Sequence, residues 1–348
     1  MLNKIKTEIV GAAGYTGGEL IRLLIHHPYV EIIFAHSKSN FGKKIYEVHT
    51  DLLGDTEMNF SKEIDKNIDV LFLCLGHGES KKFLSENNIS SSIKIIDLSQ
   101  DFRIKTQIRN PKSEILNPIT QIPNPESQIL NPKWIYGLPE LNRNEIRNSE
   151  SNIANPGCFA TCIQLALLPL ANAGLITDEV HVSATTGSTG AGQSLSETSH
   201  FSWRNNNLSA YKVFGHQHLA EIGQSLKQLQ TTFDSEINFI PHRGNFTRGI
   251  FATAYTKCDL SEKDAINLFE TFYSSHPFVF ISKKNIDLKQ VVNTNKCLLF
   301  IEKKNNKIII TSIIDNLLKG ASGQAVQNMN ILFGLEETTG LKLKPSAF

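Results

Sequence analysis

The chain has 348 residues, enough for two domains of ordinary size. Hydrophobic residues make up 40% and charged residues 20%, the balance of a globular protein with a real core. Lys plus Arg is 35 against 34 Asp plus Glu. A net charge of +1 gives no global case for nucleic acid or an anionic membrane, so neither partner is expected.

The first residues run into an apolar strand without the apolar stretch of a signal peptide. Ile9-Val10 end that strand and residues 11–18 form a tight glycine loop. Residues 19–27 carry Leu20, Leu23 and Leu24 at helical spacing, and Pro28 closes the helix. Residues 30–35 read as a second strand, and residues 70–75 and 93–98 are continuous apolar runs of the kind buried on both faces of a parallel sheet. This rhythm predicts an α/β fold with a Rossmann-type, doubly wound parallel sheet.

Residues 105–133 break the rhythm. They are rich in Asn, Pro, Ile and Gln, and the segment from Pro111 to Pro118 recurs from Pro125 to Pro132. An inserted loop without chemistry is expected there. From residue 154 the character changes again. A helix follows Cys158, and strands are predicted at 179–185, 236–240, 250–255, 297–301 and 307–314, several of them able to form an antiparallel sheet. A last helix covers 324–332. The organisation expected is a nucleotide-binding domain over 1–153, completed by the C-terminal helix 320–348. An α+β catalytic and dimerisation domain with a mixed or antiparallel sheet covers 154–319. The most apolar stretch, 163–175, is interrupted by Gln164, Pro169 and Asn172 and is too short for a membrane span. Five cysteines without framework spacing fit a reduced, cytoplasmic setting.

The glycine loop reads Gly11-Ala12-Ala13-Gly14-Tyr15-Thr16-Gly17, a G-x-x-G-x-x-G variant between strand and helix. Glycines let backbone N–H groups approach a pyrophosphate, and the helix N-terminus adds a favourable dipole. Gly11, Gly14, Tyr15, Thr16 and Gly17 are therefore candidate dinucleotide contacts. At the end of the second strand, where NAD sites carry an acid, the chain has Ser37, Lys38 and Ser39. Hydroxyls and a cation suit a 2′-phosphate, so NADP is the expected cofactor.

Asn155-Pro156-Gly157-Cys158 makes a sharp turn before an apolar helical face. Cys158 then stands at a helix N-terminus, a position expected to lower its pKa and favour the nucleophilic thiolate. Cys162 lies one turn later and reads as packing, because no Cys or His cluster completes a metal site. A cysteine nucleophile beside a nicotinamide site predicts aldehyde or thioester redox chemistry.

With both motifs in view, the chain closely resembles the acyl-phosphate reductases of the aspartate-semialdehyde-dehydrogenase-like family. Further matching segments begin at Asp97, Tyr136, Thr186, His216 and Asp315, and the likeness spans nearly everything outside 105–133. The resemblance implies NADPH-dependent reduction of N-acetyl-γ-glutamyl phosphate to the γ-semialdehyde with release of phosphate, a step of arginine biosynthesis. It implies Cys158 as nucleophile, an acid/base among His216 and His218, with His218 favoured, and Glu221 as orienting or substrate group. Arg103 and Arg248 become candidate phosphate contacts and Asn155 a substrate contact. Ser188, Gly190, Asn316, Gly320 and Gln324 become cofactor neighbours, and a dimer or tetramer is expected. Departures are Gly76 before His77, where the family more often has Pro, Gln217 where Arg is common, and a less apolar run at Pro241-His242-Arg243-Gly244. Two other readings stay open: the same chemistry on an N-succinyl or longer acyl phosphate, and a non-catalytic NADP-sensing protein on the same fold.

Overall fold

The computed structural model describes residues 4–63, 67–104 and 134–346. The inserted loop expected at 105–133 lies outside these residues. The first sheet contains β1 (Ile5–Val10), β2 (Val30–His36), β3 (Val70–Leu73), β4 (Lys94–Asp97), β5 (Trp134–Tyr136) and β6 (Asn152–Ala154). Its order is β2-β1-β3-β4-β6-β5, and every neighbouring pair is parallel. All four residues of β3 are buried, as a strand covered on both faces requires. Helix α1 (Tyr15–Leu24) crosses from β1 to β2, and α2 (Glu79–Glu86) from β3 to β4. β1 therefore has β2 on one side and β3 on the other, which opens a switch-point crevice at the carboxyl ends of β1 and β3.

The glycine loop sits in that crevice. Gly11 has φ +81°, and a Cβ there would stand 2.3 Å from the Cys74 carbonyl oxygen at the end of β3. A Cβ on Gly17 would stand 2.6 Å from the Ala12 Cα, so glycine is what lets α1 lie close on the loop. α1 begins at Tyr15, earlier than the predicted 19, because Gly14 is already its N-cap.

A second sheet contains β7 (Val180–Thr186), β8 (Ser209–Ala210), β9 (Ile237–Arg243), β10 (Ile250–Lys257), β11 (Val279–Ser282), β12 (Cys297–Lys304) and β13 (Lys307–Ile314). Its order is β11-β12-β13-β10-β7-β9-β8. The sheet is mixed: β12, β13, β10 and β7 run antiparallel in turn, whereas β9 is parallel to β7 and β11 to β12. The β7 to β9 connection is long and helical, holding α5 (Phe201–Arg204) and α6 (His218–Leu229), which is the crossover a parallel pair requires.

Helix α4 (Cys158–Asn172) packs against α6, β10 and β13, and only its first and last residues escape full burial. Pro169 inside it has no N–H, which leaves the Leu165 carbonyl without its helical donor. The Tyr273 hydroxyl, at the end of α7 (Glu262–Tyr273), donates to that carbonyl at 2.6 Å. The last helix, α8 (Ser322–Leu332), is buried on all sides. It stops at Leu332, where Gly334 takes φ +66°, and does not run on toward 348. Val326 and Met329 of α8 share a core with Leu20 and Leu24 of α1. Asn328 Nδ2 donates to Gly137 O at 2.8 Å and to Asn155 Oδ1 at 3.0 Å. α3 (Pro139–Arg147) flanks α8 on the same side.

Candidate active site

Between the switch-point crevice and the mixed sheet lies a cavity of about 490 Å³, within the range of small-ligand sites. Gly14, Tyr15 and Thr16 line it from the first sheet, and Cys158 and its turn form one wall. Cys158 is the first residue of α4, directly after the N-cap Gly157. The turn is glycine for steric reasons, since a Cβ on Gly157 would stand 2.3 Å from His218 Nε2 and 2.7 Å from Arg103 Nη1. Gly320 plays the same part opposite: a Cβ there would stand 2.8 Å from the Cys158 Cβ.

The thiol does not have the lowered pKa expected from its helix terminus. Burial pushes Cys158 up to about 11, and the Phe159 N–H and the Arg103 charge only partly offset it. The imidazoles move the other way. Burial, then the neighbouring His218, lower His216 to about 3, while burial, then Arg103, hold His218 well below its usual value. Both are neutral at neutral pH and able to accept a proton, rather than poised near 6.5. His216 Nδ1 accepts the backbone N–H of His218 at 3.2 Å, which leaves Nε2 to carry its proton. His218 Nδ1 is buried with no hydrogen-bond partner.

Glu221, one turn into α6, ties these groups together. Its Oε1 accepts from Arg103 Nη1 at 3.1 Å and lies 3.8 Å from His218 Nε2. Its Oε2 accepts the Gly157 N–H at 2.9 Å and the Tyr136 hydroxyl at 2.9 Å, and Gln164 donates to that hydroxyl oxygen at 2.7 Å. Burial and then the Glu221 charge raise Tyr136 well above its usual value, so it stays a donor. Arg103 Nη2 also donates to Leu98 O at 2.7 Å. Burial disfavours the Arg103 cation, and Glu221 more than compensates.

Of the residues proposed from sequence, Gly14, Tyr15, Thr16, Arg103, Asn155, Cys158, Gly190, His216, His218, Asn316 and Gly320 line this cavity. Asn155 Nδ2 donates to Ala321 O at 3.0 Å, and Asn316 bridges Gly249 N and Thr189 Oγ1. Gly11 and Gly17 shape the loop from behind, and Glu221 acts from the second layer. Ser188 lies beside the cavity without lining it, and Gln324 is buried, donating to Thr161 Oγ1 at 3.2 Å. Ser37, Lys38 and Ser39 follow β2 away from the cavity, with no acid between residues 37 and 46. Arg248 is not in the cavity. Its guanidinium is held by Asp315 at 3.0 Å and by Glu19 at 2.5 Å, which spends it on bridging α1 to the segment after β13. Tyr211, Lys212, Arg204, Arg243 and His77 also line the cavity and were not proposed as site residues: the first three come from short or irregular segments with no motif, and Arg243 and His77 were noted only as parts of segments that depart from the family pattern.

The residues fit a dinucleotide. The loop has the glycine cradle, the first turn of α1 carries no acid, and the cavity joins that loop to a cysteine. Among the described residues no group of three or more His, Cys, Asp or Glu could hold a metal ion, and no helix is long and apolar enough to cross a membrane.

Fold and site define the semialdehyde dehydrogenase class, whose NAD-binding domain model matches residues 6–149 and whose dimerisation domain model matches residues 158–316. Proteins described as N-acetyl-gamma-glutamyl-phosphate reductase from Flavobacterium johnsoniae and Christiangramia forsetii are each 57% identical over 344 residues, covering 99% of this chain and 100% of theirs; one from Bacteroides thetaiotaomicron is 54% identical over 345 residues, with the same coverage. The chain belongs to the N-acetyl-gamma-glutamyl-phosphate reductase family. Among solved structures, aspartate semialdehyde dehydrogenase II from Vibrio cholerae matches with a TM-score of 0.68 at 14% identity, covering 95% of this chain and 99% of that one. The Candida albicans enzyme with NADP matches at 0.66 and 12%, covering 94% and 98%, so both share the fold.

Proposed function

We propose that this chain is an NADPH-dependent reductase of N-acetyl-γ-glutamyl phosphate, releasing phosphate and the γ-semialdehyde in arginine biosynthesis. The observation that carries the reading is the meeting of Cys158, two neutral imidazoles and the glycine loop in one cavity. In this reading His218, whose Nδ1 is unpartnered, takes the Cys158 proton, and Glu221 orients it through Nε2. The thiolate attacks the acyl carbon, the C–O bond to phosphate breaks, and a thioester on Cys158 results. N–H groups of the first turn of α4 face the developing oxyanion. Arg103 receives the leaving phosphate beside the turn. The chemistry that a bound nicotinamide supplies is hydride transfer to the thioester carbonyl. The C–S bond to Cys158 then breaks, the sulfur recovers the proton held by the imidazole, and the semialdehyde leaves. Gly11, Gly14, Tyr15, Thr16 and Gly17 would hold the pyrophosphate, Ser37, Lys38 and Ser39 the 2′-phosphate, and Gly190, Asn316 and Gly320 the nicotinamide end.

The domain division that fits is a nucleotide domain of residues 1–153 with α8 added, and a catalytic and dimerisation domain over 154–319. A homo-oligomer, dimer or tetramer, and a cytoplasmic site of action complete the reading. The test is absorbance at 340 nm in the reverse direction, with N-acetylglutamate semialdehyde, phosphate and NADP. Wild type should generate NADPH, and Cys158→Ser should lose at least about 10³-fold in kcat with NADP binding unchanged. Turnover by Cys158→Ser near wild type would refute it.

A further inference from the structure

The cavity has a cationic end that the mechanism above does not use. Arg204, the last residue of α5, is 8% exposed. Its Nε donates to Gly244 O at 2.9 Å and its Nη2 to Thr186 O at 3.3 Å, so the side chain is fixed by backbone carbonyls. Arg243, the last residue of β9, lays its guanidinium 3.8 Å from the Tyr211 ring centroid. Both line the cavity, with the exposed Lys212 beside them, its Nζ on Gln217 Oε1 at 3.0 Å. Among the described residues neither guanidinium meets a carboxylate, whereas Arg103 and Arg248 are both paired. Two like charges held side by side in a partly buried wall are unfavourable unless an anion joins them. Burial and then Arg243 lower the Arg204 guanidinium, which is the same cost seen from one member.

The placement separates this end from the phosphate. The phosphate is bonded to the carbon that Cys158 attacks, so its contact must adjoin the nucleophile's turn, and Arg103 does. Arg243 enters the cavity from the end of β9. It stacks on Tyr211, whose ring edge meets His216 at 5.7 Å, and His216 in turn meets Phe159 at 5.4 Å. Arg243 is thus linked to the nucleophile's turn only through Tyr211, His216 and Phe159, on the side where a group further along the acyl chain would be met. Resting on the reductase reading, we propose that Arg243, braced by Arg204, binds a carboxylate of the substrate remote from the reacting carbon and so sets specificity for acidic acyl chains. Two carboxylates have this chemistry: the α-carboxylate of the glutamyl unit, and one carried by the N-acyl group. An Arg fork is suited to either by bidentate hydrogen bonding.

The experiment is reverse-direction kinetics on wild type, Arg243→Gln and Arg243→Lys with three aldehydes: N-acetylglutamate semialdehyde, its N-succinyl counterpart, and 4-acetamidobutanal, which lacks any carboxylate. Arg243→Gln should raise the KM for a carboxylate-bearing aldehyde at least about tenfold, leave the phosphate KM within about twofold, and abolish discrimination against 4-acetamidobutanal, with Arg243→Lys in between. A rise with the N-acetyl substrate assigns the α-carboxylate, and a rise confined to the N-succinyl substrate assigns the acyl carboxylate. A rise in the phosphate KM alone, or no change in any KM, overturns the proposal. Wild type inert toward every aldehyde would instead overturn the reductase reading itself.

Discussion

At the scale of single residues, Cys158 carries an unexpected property. A helix N-terminus favours a thiolate, and from sequence that argued for a low pKa. In the fold, Cys158 faces the cavity but is surrounded by protein, and desolvation outweighs the helix terminus, taking the thiol to about 11. The raised pKa favours the thiol over the thiolate in the free protein, so a proton acceptor is needed when the sulfur attacks. The sign follows: a raised thiol pKa means reactivity that grows as pH rises. Alkylation of Cys158 by iodoacetamide, followed by mass spectrometry, should keep accelerating above pH 9 and level only near 11. A midpoint below 8 would show that the helix terminus outweighs burial. Local sequence could locate this sulfur, since Asn155-Pro156-Gly157-Cys158 is one contiguous turn. It could not give the ionisation, which depends on burial by the fold and on Arg103 and Glu221, both distant in the chain.

Among elements, α4 illustrates how a local defect is repaired from afar. Pro169 in an apolar stretch reads as an interruption, yet the helix runs through it to Asn172. Tyr273 makes this possible by donating to the stranded Leu165 carbonyl. Tyr273→Phe should therefore cost about 1–3 kcal/mol in urea unfolding, the usual penalty of an unsatisfied buried acceptor. In a Pro169→Ala background the restored N–H should take the carbonyl, and Tyr273→Phe should then cost markedly less. Equal costs in both backgrounds would separate the hydroxyl from the proline. The strands were legible because β3 is an unbroken apolar run, β1 and β4 carry paired apolar residues at Ile9-Val10 and Ile95-Ile96, and β10, β12 and β13 begin within a residue of their predicted starts. The expected sheet was mixed or antiparallel and it is mixed, but which strands pair parallel was not legible, since whether β9 runs parallel to β7 is decided by the helical crossover and not by either strand's composition. Arg204 and Arg243 were invisible as a pair for the same reason, one ending a four-residue helix and the other a strand.

For the whole molecule, the two sheets are joined by buried charge. Lys319 Nζ lies 2.8 Å from Glu140 Oε1 with both side chains fully buried, linking α3 to the segment between β13 and α8. Burial opposes the Glu140 charge and Lys319 more than offsets it, so the carboxyl lies below its usual value. Its contribution to stability is then full above pH 4.5 and is lost as pH falls through the lowered value. Lys319→Met should destabilise the protein by about 3–5 kcal/mol by leaving an unpaired buried acid, and adding Glu140→Gln should recover much of it. No recovery in the double variant, measured by thermal or urea unfolding, would mean the loss comes from packing.

The bare backbone at Gly320 bears on reactivity as well as on shape. The strand of chain that returns from the mixed sheet to the nucleotide-type sheet passes against the Cys158 Cβ with no side chain between. Any side chain at position 320 would have to push that backbone or the reactive cysteine aside. Gly320→Ala should therefore displace the Cys158 turn and lower its reactivity toward iodoacetamide, because even a single added methyl lands 2.8 Å from the cysteine Cβ.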